Sequence, residues 1–194
     1  MDDWKRFSSV CFWLDGQGTR PSALGSIDSD ILPYLMEPEA FQLQVSKLQS
    51  DLLSLPVPVF YSQLASLQAK LKRSAVIDFD VCGWSRRAGC VDVYEMHGSL
   101  VGQPAFAGKG ESSQPWQPGF IFSGQSLDQE LCVKAFEQLK RSDLVISAVG
   151  AEIRGQWSHW VDFLQAKGVP WIEVDPLYSV ELETQILALL EKKR

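Results

Sequence analysis

The chain is poor in positive charge, in histidine and in paired cysteine, and it has no long apolar run. Of its 194 residues, 18 are Lys or Arg against 24 Asp or Glu, a formal net charge of −6. Phosphate backbones and anionic lipid both require Lys/Arg density, so neither nucleic acid nor a membrane surface is an expected partner. The four cysteines, Cys11, Cys82, Cys90 and Cys132, form no CxxC pair. Structural zinc usually needs four convergent ligands in close-spaced pairs, so no zinc is expected. Unpaired thiols fit a reducing compartment and a cytoplasmic location. No stretch approaches the roughly 18 apolar residues of a membrane span. The opening "MDDWKRFSSVCFWLDG" carries acids without an apolar core and does not read as a signal peptide.

What is present is globular in kind. Hydrophobic residues make up 45% and charged residues 22%, enough for one domain over residues 1–194 with a core that needs no covalent staple. "SSVCFWLDGQG" reads as a buried strand running into a glycine-bearing loop. Two amphipathic helices follow, with Phe41, Val45, Leu48 and Leu52 on one stripe and Phe60, Leu64, Leu67 and Leu71 on the other. "SAVIDFDV", "VDVYEM", "FIFSGQ", "DLVISAVG" and "VPWIEVD" are short apolar strand candidates. The segments between and after the last three are helical. Ser126 is the expected N-cap of the first of these helices and Gly168 closes the second. The terminal helix turns Leu182, Ile186 and Leu189 inward. Strands too apolar to alternate, interleaved with helices, predict a doubly wound parallel α/β sheet. Such sheets bind ligands at the carboxyl ends of their strands, here the loops after Leu14, Gly124, Gly150 and Asp175.

The block "AVIDFDVCGWSRRAGCVDVYEMHGSL" carries a more specific signal. Gly83, Arg86, Arg87, Ala88, Gly89, Glu95, His97 and Gly98 follow in the order and spacing of "IDGLHRRAG…ELHG", and the block resembles that segment of the sirtuin family. "QPGFIFSGQ", "RSDLVISAVGAE" and "GVPWIEVDP" resemble, in order, three later sirtuin segments. The resemblance runs over about residues 9 to 176. It implies a Rossmann-like, sirtuin-like fold, NAD or ADP-ribose as ligand, and NAD-dependent deacylation of acyl-lysine. It also assigns roles. His97 takes the place of the catalytic base and Asp80 that of an asparagine that helps hold ribose and a water. Gly16, Cys82, Gly124, Gly150 and Asp175 fall at cofactor-binding positions.

The departures from the family are as informative. "LDGQGTRPSALGS" replaces the glycine-rich opening motif, keeping Gly16 as its third glycine. Asp78, Phe79 and Asp80 stand where the family has Thr-Gln-Asn, and Cys82 replaces an aspartate that contacts nicotinamide. Gly150 is followed by Ala151 and Glu152 in place of Thr-Ser. The zinc cysteines are missing between His97 and Trp116, so residues 99–118 are expected to be the vestige of a small zinc lobe. With Phe106 and Trp116, that vestige is also the expected contact for a second copy or another protein.

Carboxylates at Asp80 and Glu152 repel a pyrophosphate, and each lost positioned contact costs about 2–4 kcal/mol in a transition state. The expectation is therefore a divergent sirtuin-like protein that binds NAD or ADP-ribose with weak or no deacylase activity. Two alternatives stay open: an NAD-consuming enzyme with His97 as base, and a non-catalytic interaction scaffold. A neutral imidazole is a competent base, yet His97 is equally readable as structural. Glu95, two residues earlier on the same strand, is the candidate to orient it. Cys82 as a nucleophile would need His97 beside it. His159, between two tryptophans, reads as a helix residue. Arg86 and Arg87 read as ion-pairing residues of a helix surface rather than as anion ligands. The tryptophans Trp84, Trp157 and Trp160 suit either the core or a cleft.

Overall fold

The computed structural model describes residues 6–16, 19, 21, 32–101, 119–122, 125–178 and 180–192. Gly124 and most of the 99–118 segment, including Phe106 and Trp116, lie outside them.

Five strands form one sheet: β1 (Val10–Leu14), β2 (Ser74–Asp78), β3 (Val93–Glu95), β4 (Leu144–Ala148) and β5 (Trp171–Glu173). Their order is β3-β2-β1-β4-β5, and every pairing is parallel. The chain winds outward from β1 in one direction and then returns to add β4 and β5 on the other side. The switch point lies between β1 and β4. Register sets Leu14 beside both Asp78 and Ala148, so three strands end at one level and open one crevice.

All five residues of β1 are buried, because both faces of the sheet are covered. Side chains alternate across a strand, and the alternation divides the core in two. Val10, Phe12 and Leu14 face one cluster with Val76, Leu144 and Ile146. Helices α2 (Pro38–Ser54), α3 (Val59–Gln68) and α8 (Leu182–Lys192) close that side, with α1 (Leu32–Met36) packed against α2. Cys11 and Trp13 face the other cluster with Ile77 and Val145, under α5 (Gln129–Arg141) and α7 (Ser158–Ala166). Two short helices, α4 (Trp84–Arg87) and α6 (Ala151–Gln156), follow the strand ends.

Several local expectations change. Among the described residues of "FIFSGQ" none joins the sheet; Phe120 makes an isolated antiparallel bridge with Gly98. Its backbone is committed sideways, with Ile121 N–H donating to His97 O and Ser99 N–H to Gly119 O. The cap of α5 is Asp128 rather than Ser126, its carboxylate accepting from the amides of Glu130 and Leu131. Leu71 lies beyond α3, and in α8 Leu190 is buried more deeply than Leu189. Gly168 does close α7, with φ of 69°.

Candidate functional site

The "DFDVCGWSRRAG" block begins as β2 and leaves the sheet at Asp78. Its two arginines are structural. The Arg87 guanidinium donates to Leu52 O at 2.7 Å and to Leu55 O at 2.8 Å, which satisfies carbonyls left open at the end of α2. It also lies 4.6 Å from the centre of the Trp84 ring. Arg86 pairs with Glu95 at 2.7 Å and donates to Val93 O. That pairing corrects the expected role of Glu95, whose carboxylate is turned to Arg86. His97 also lies in a turn beyond β3 and not on the strand.

His97 is half-buried, and its Nδ1 meets Phe79 O at 3.0 Å. A carbonyl only accepts, so in the neutral ring Nδ1 carries the proton and Nε2 keeps the lone pair. The Phe79 ring packs edge-on against the imidazole at 5.5 Å. The backbone of the Asp78–Asp80 segment thus fixes the tautomer. Gly98 is required next to it: its φ is 76°, and a Cβ there would lie 2.2 Å from Gly119 O.

Beside His97 the strand end is filled with buried acid. Asp78 is 1% and Asp80 0% exposed. Asp78 accepts from the Asp80 amide at 3.0 Å and from Ser85 Oγ at 2.5 Å. Burial, and then the neighbouring Asp80 carboxylate, push Asp78 up to about 7. Ser85 and the Asp80 amide pull the other way without reversing the shift. Tyr61 from α3 is buried in the same field, with its hydroxyl 3.4 Å from Thr19 Oγ1. Burial first, then Asp78 and Asp80, raise its phenol above the ordinary range. Cys82 is also fully buried here, remote from the exposed, electropositive setting a reactive thiolate needs. Gly16 covers Asp80 from the end of β1: its φ is 71°, and an added Cβ would sit 2.5 Å from Asp80 Cγ. Any other residue would drive the first loop off the carboxylate.

The other half of the crevice is open. A cleft of about 430 Å³ lies at the carboxyl ends of β4 and β5, lined by Ser147, Gly150, Arg154, Glu173, Asp175 and Leu177 among others. Asp175 is exposed, and its Oδ1 accepts from Leu177 N–H at 2.8 Å. Arg154 reaches Glu173 at 2.6 Å and Val149 O at 3.2 Å. Ser147 is 1% exposed, and its Oγ has no hydrogen-bond partner among the described residues. Glu152 is exposed on α6, within 3.5 Å of Gln156 Nε2. Between the two halves, Gly150 N–H donates to Asp15 Oδ2 at 2.5 Å.

The expected site residues therefore divide. Gly16, Asp80 and Cys82 are buried on the β1–β2 side, with His97 half-buried beside Phe79, while Gly150 and Asp175 line the β4–β5 cleft. Gly124 lies outside the described residues. The sequence reading gave no role to Asp15, Tyr61, Ser85, Ser147 or Arg154. The one signal available for Asp15 was an acid directly before the glycine at the first strand end. Trp84, Trp157 and Trp160 are buried in the core and do not line the cleft. His159 is an exposed residue of α7, stacked 5.9 Å from Trp157. Among the described residues no three His, Cys, Asp or Glu side chains group as a metal set, and no helix is long and apolar enough to cross a membrane.

A parallel sheet in the order 3-2-1-4-5, with a crevice at its switch point, is a Rossmann-like architecture. Solved structures make the likeness more particular. A Sir2 mutant with a peptide and NAD superposes with a TM-score of 0.74 at 16% identity, over 99% of this chain and 96% of that one. A Sir2 homologue–NAD complex gives 0.70 at 16% identity, over 88% and 78%. A Sir2 homologue mutant in complex with 2′-O-acetyl ADP-ribose gives 0.70 at 15%, over 89% and 84%. The fold is sirtuin-like. No protein-family model matches the sequence, and no curated protein matches it.

Proposed function

We propose that this protein binds the adenosine end of NAD or ADP-ribose in the β4–β5 cleft and carries out little or no acyl-lysine deacylation. The open cleft beside the switch point carries this reading. It provides an exposed Asp175 carboxylate at the end of a strand, where an acid can accept from ribose hydroxyls. It also holds the unpartnered Ser147 hydroxyl. Solved structures of the same fold hold NAD and ADP-ribose.

The other half of the crevice disfavours deacylation. A nicotinamide ribose would have to be held beside His97, where two buried carboxylates and Tyr61 fill the strand end. The Asp80 carboxylate there opposes a pyrophosphate close by, and it stands where the family has asparagine.

A second reading keeps an NAD-consuming reaction with His97 as base, favoured by the tautomer that Phe79 imposes. Calorimetric titration of NAD and ADP-ribose, followed by assay of nicotinamide release, separates the two. Binding without release is the expected result. Release that disappears in His97→Ala would establish the second reading instead. Absence of binding of adenosine as well as of NAD and ADP-ribose at millimolar ligand, a free energy weaker than about 4.1 kcal/mol, would leave a scaffold role.

The first-loop glycine, the vestigial 99–118 segment and a single domain over 1–194 belong to the same proposal. Light scattering on the whole chain tests whether a second copy is bound.

A further inference from the structure

The contact between Asp15 and Gly150 joins the end of β1 to the end of β4, at the switch point. Asp15 is the first residue past β1, and its own N–H still donates to Ala148 O at 3.3 Å. Its carboxylate is thereby held at the end of β4, where it takes the Gly150 amide. The register that sets Leu14 beside Ala148 makes this reach short. In a switch-point crevice this is the ground over which a ligand's phosphates would pass on the way from one half to the other. Here a fixed carboxylate already stands on it.

Among the described residues that line the cleft, acid outnumbers base. Glu173 and Asp175 line the cleft, and Arg154 is the one described cation among its lining residues. That guanidinium is engaged by Glu173 and Val149 O. The polar groups that remain suit a neutral ligand. Asp175 has one oxygen bonded to Leu177 N–H and a second to receive hydroxyls. Ser147, almost wholly buried and without a partner among the described residues, lines the cleft wall.

We propose that Asp15 is a specificity-determining residue that makes this crevice select nucleosides over their phosphorylated forms, by occupying the Gly150 amide and placing a negative charge where phosphate would lie. This inference rests on the reading of the β4–β5 cleft as an adenosine site. It predicts that intact NAD and ADP-ribose bind weakly, and that the penalty resides in one side chain.

The test titrates adenosine and ADP-ribose into the wild type, Asp15→Asn and Asp15→Ala, each checked for an unchanged melting temperature. Asn keeps an oxygen that can accept from Gly150 while removing the charge, so it guards against loss of folding. The expected result is a tenfold or larger gain in ADP-ribose affinity in Asp15→Asn, with adenosine affinity altered by less than threefold. Unchanged or weaker ADP-ribose binding in both variants, with adenosine still bound, would overturn the role of Asp15 and leave the cleft reading standing. A gain for ADP-ribose with no adenosine binding in any form would do the reverse. No binding of either ligand to any form would overturn both.

Discussion

The two halves of the crevice have been treated differently by the same sheet. On the β4–β5 side the strand ends frame an open cleft with an exposed acid and a buried, unpartnered hydroxyl. On the β1–β2 side, at the same level of the sheet, Asp78, Asp80, Tyr61 and Ser85 fill the space, and Gly16 closes over it. The backbone is common to both, since every pairing is parallel and the register is continuous. The two sides differ in what their described side chains place at the strand ends. One strand order thus carries an open cleft at one pair of strand ends and buried acids at the neighbouring pair.

The residue that joins the halves underneath is Trp13. It is fully buried at the centre of β1, 6.1 Å from the Phe79 ring on the filled side and 5.1 Å from Trp171 on the open side, with Trp160 at 6.0 Å below. Trp13→Ala would leave a large void in a close-packed aromatic cluster. A loss of about 3–5 kcal/mol is expected in chemical denaturation. A loss below 1 kcal/mol would show that the two halves are not underpinned by one core.

The filled half should respond to pH and the open half should not. Asp78 is raised from 3.8 to about 7, so the folded protein retains a proton that the unfolded chain releases. The associated stability is fully present below 3.8 and is lost as pH rises through about 7. Asp78→Asn keeps an acceptor for the Asp80 amide and removes the titration. It should be more stable than the wild type by about 2–4 kcal/mol at pH 8, with the gap closing toward pH 4. A pH-independent difference would show that Asp78 does not carry the buried charge.

A smaller effect follows from Arg87, which ties the block bearing the filled half to α2. Arg87→Met removes the donors to Leu52 O and Leu55 O together with the guanidinium's seat over the Trp84 ring. A loss of about 1–2 kcal/mol is expected, insensitive to pH between 5 and 8. Tighter or weaker adenosine binding in that variant would mean that the halves communicate.

These details bear on how far a sequence can be read. The sheet was legible because apolar runs such as "VCFWL" and "LVISA" are buried on both faces, and hydrophobicity reports that directly. "FIF" has the same letters yet joins no sheet, since its backbone hydrogen bonds go to residues 97–99, a choice made by tertiary position rather than composition. Asp128 displaced Ser126 as cap because a cap is defined by where the helix begins, and that boundary is set by packing. The site was half legible. The motif singled out Gly16, Gly150 and His97, which lie beyond the ends of β1, β4 and β3. The Asp15–Gly150 contact joins residues 135 apart, and nothing local in the sequence signals such a pairing. Glu95 misled, because spacing along a strand gave it to His97 while Arg86 was the closer partner.

The smallest expected change is at Ser147, and it tests the open half most directly. Its hydroxyl is buried on β4 opposite Trp13 in the register, and it has no partner among the described residues. A buried polar group left unpaired lowers stability, so Ser147→Ala should be neutral or more stable, by at most about 1 kcal/mol. A hydroxyl that contributed only to the fold would give the opposite sign on removal. If instead it is kept to meet a ligand in the cleft, the alanine variant should bind adenosine about three- to tenfold more weakly, the value of one hydrogen bond of roughly 1 kcal/mol. Thermal melting with and without adenosine reads both quantities at once. A variant that melts no lower than the wild type but gains less from adenosine would assign the hydroxyl to the ligand. Equal shifts in the two proteins would remove Ser147 from the site and leave Asp175 as the polar group that defines it.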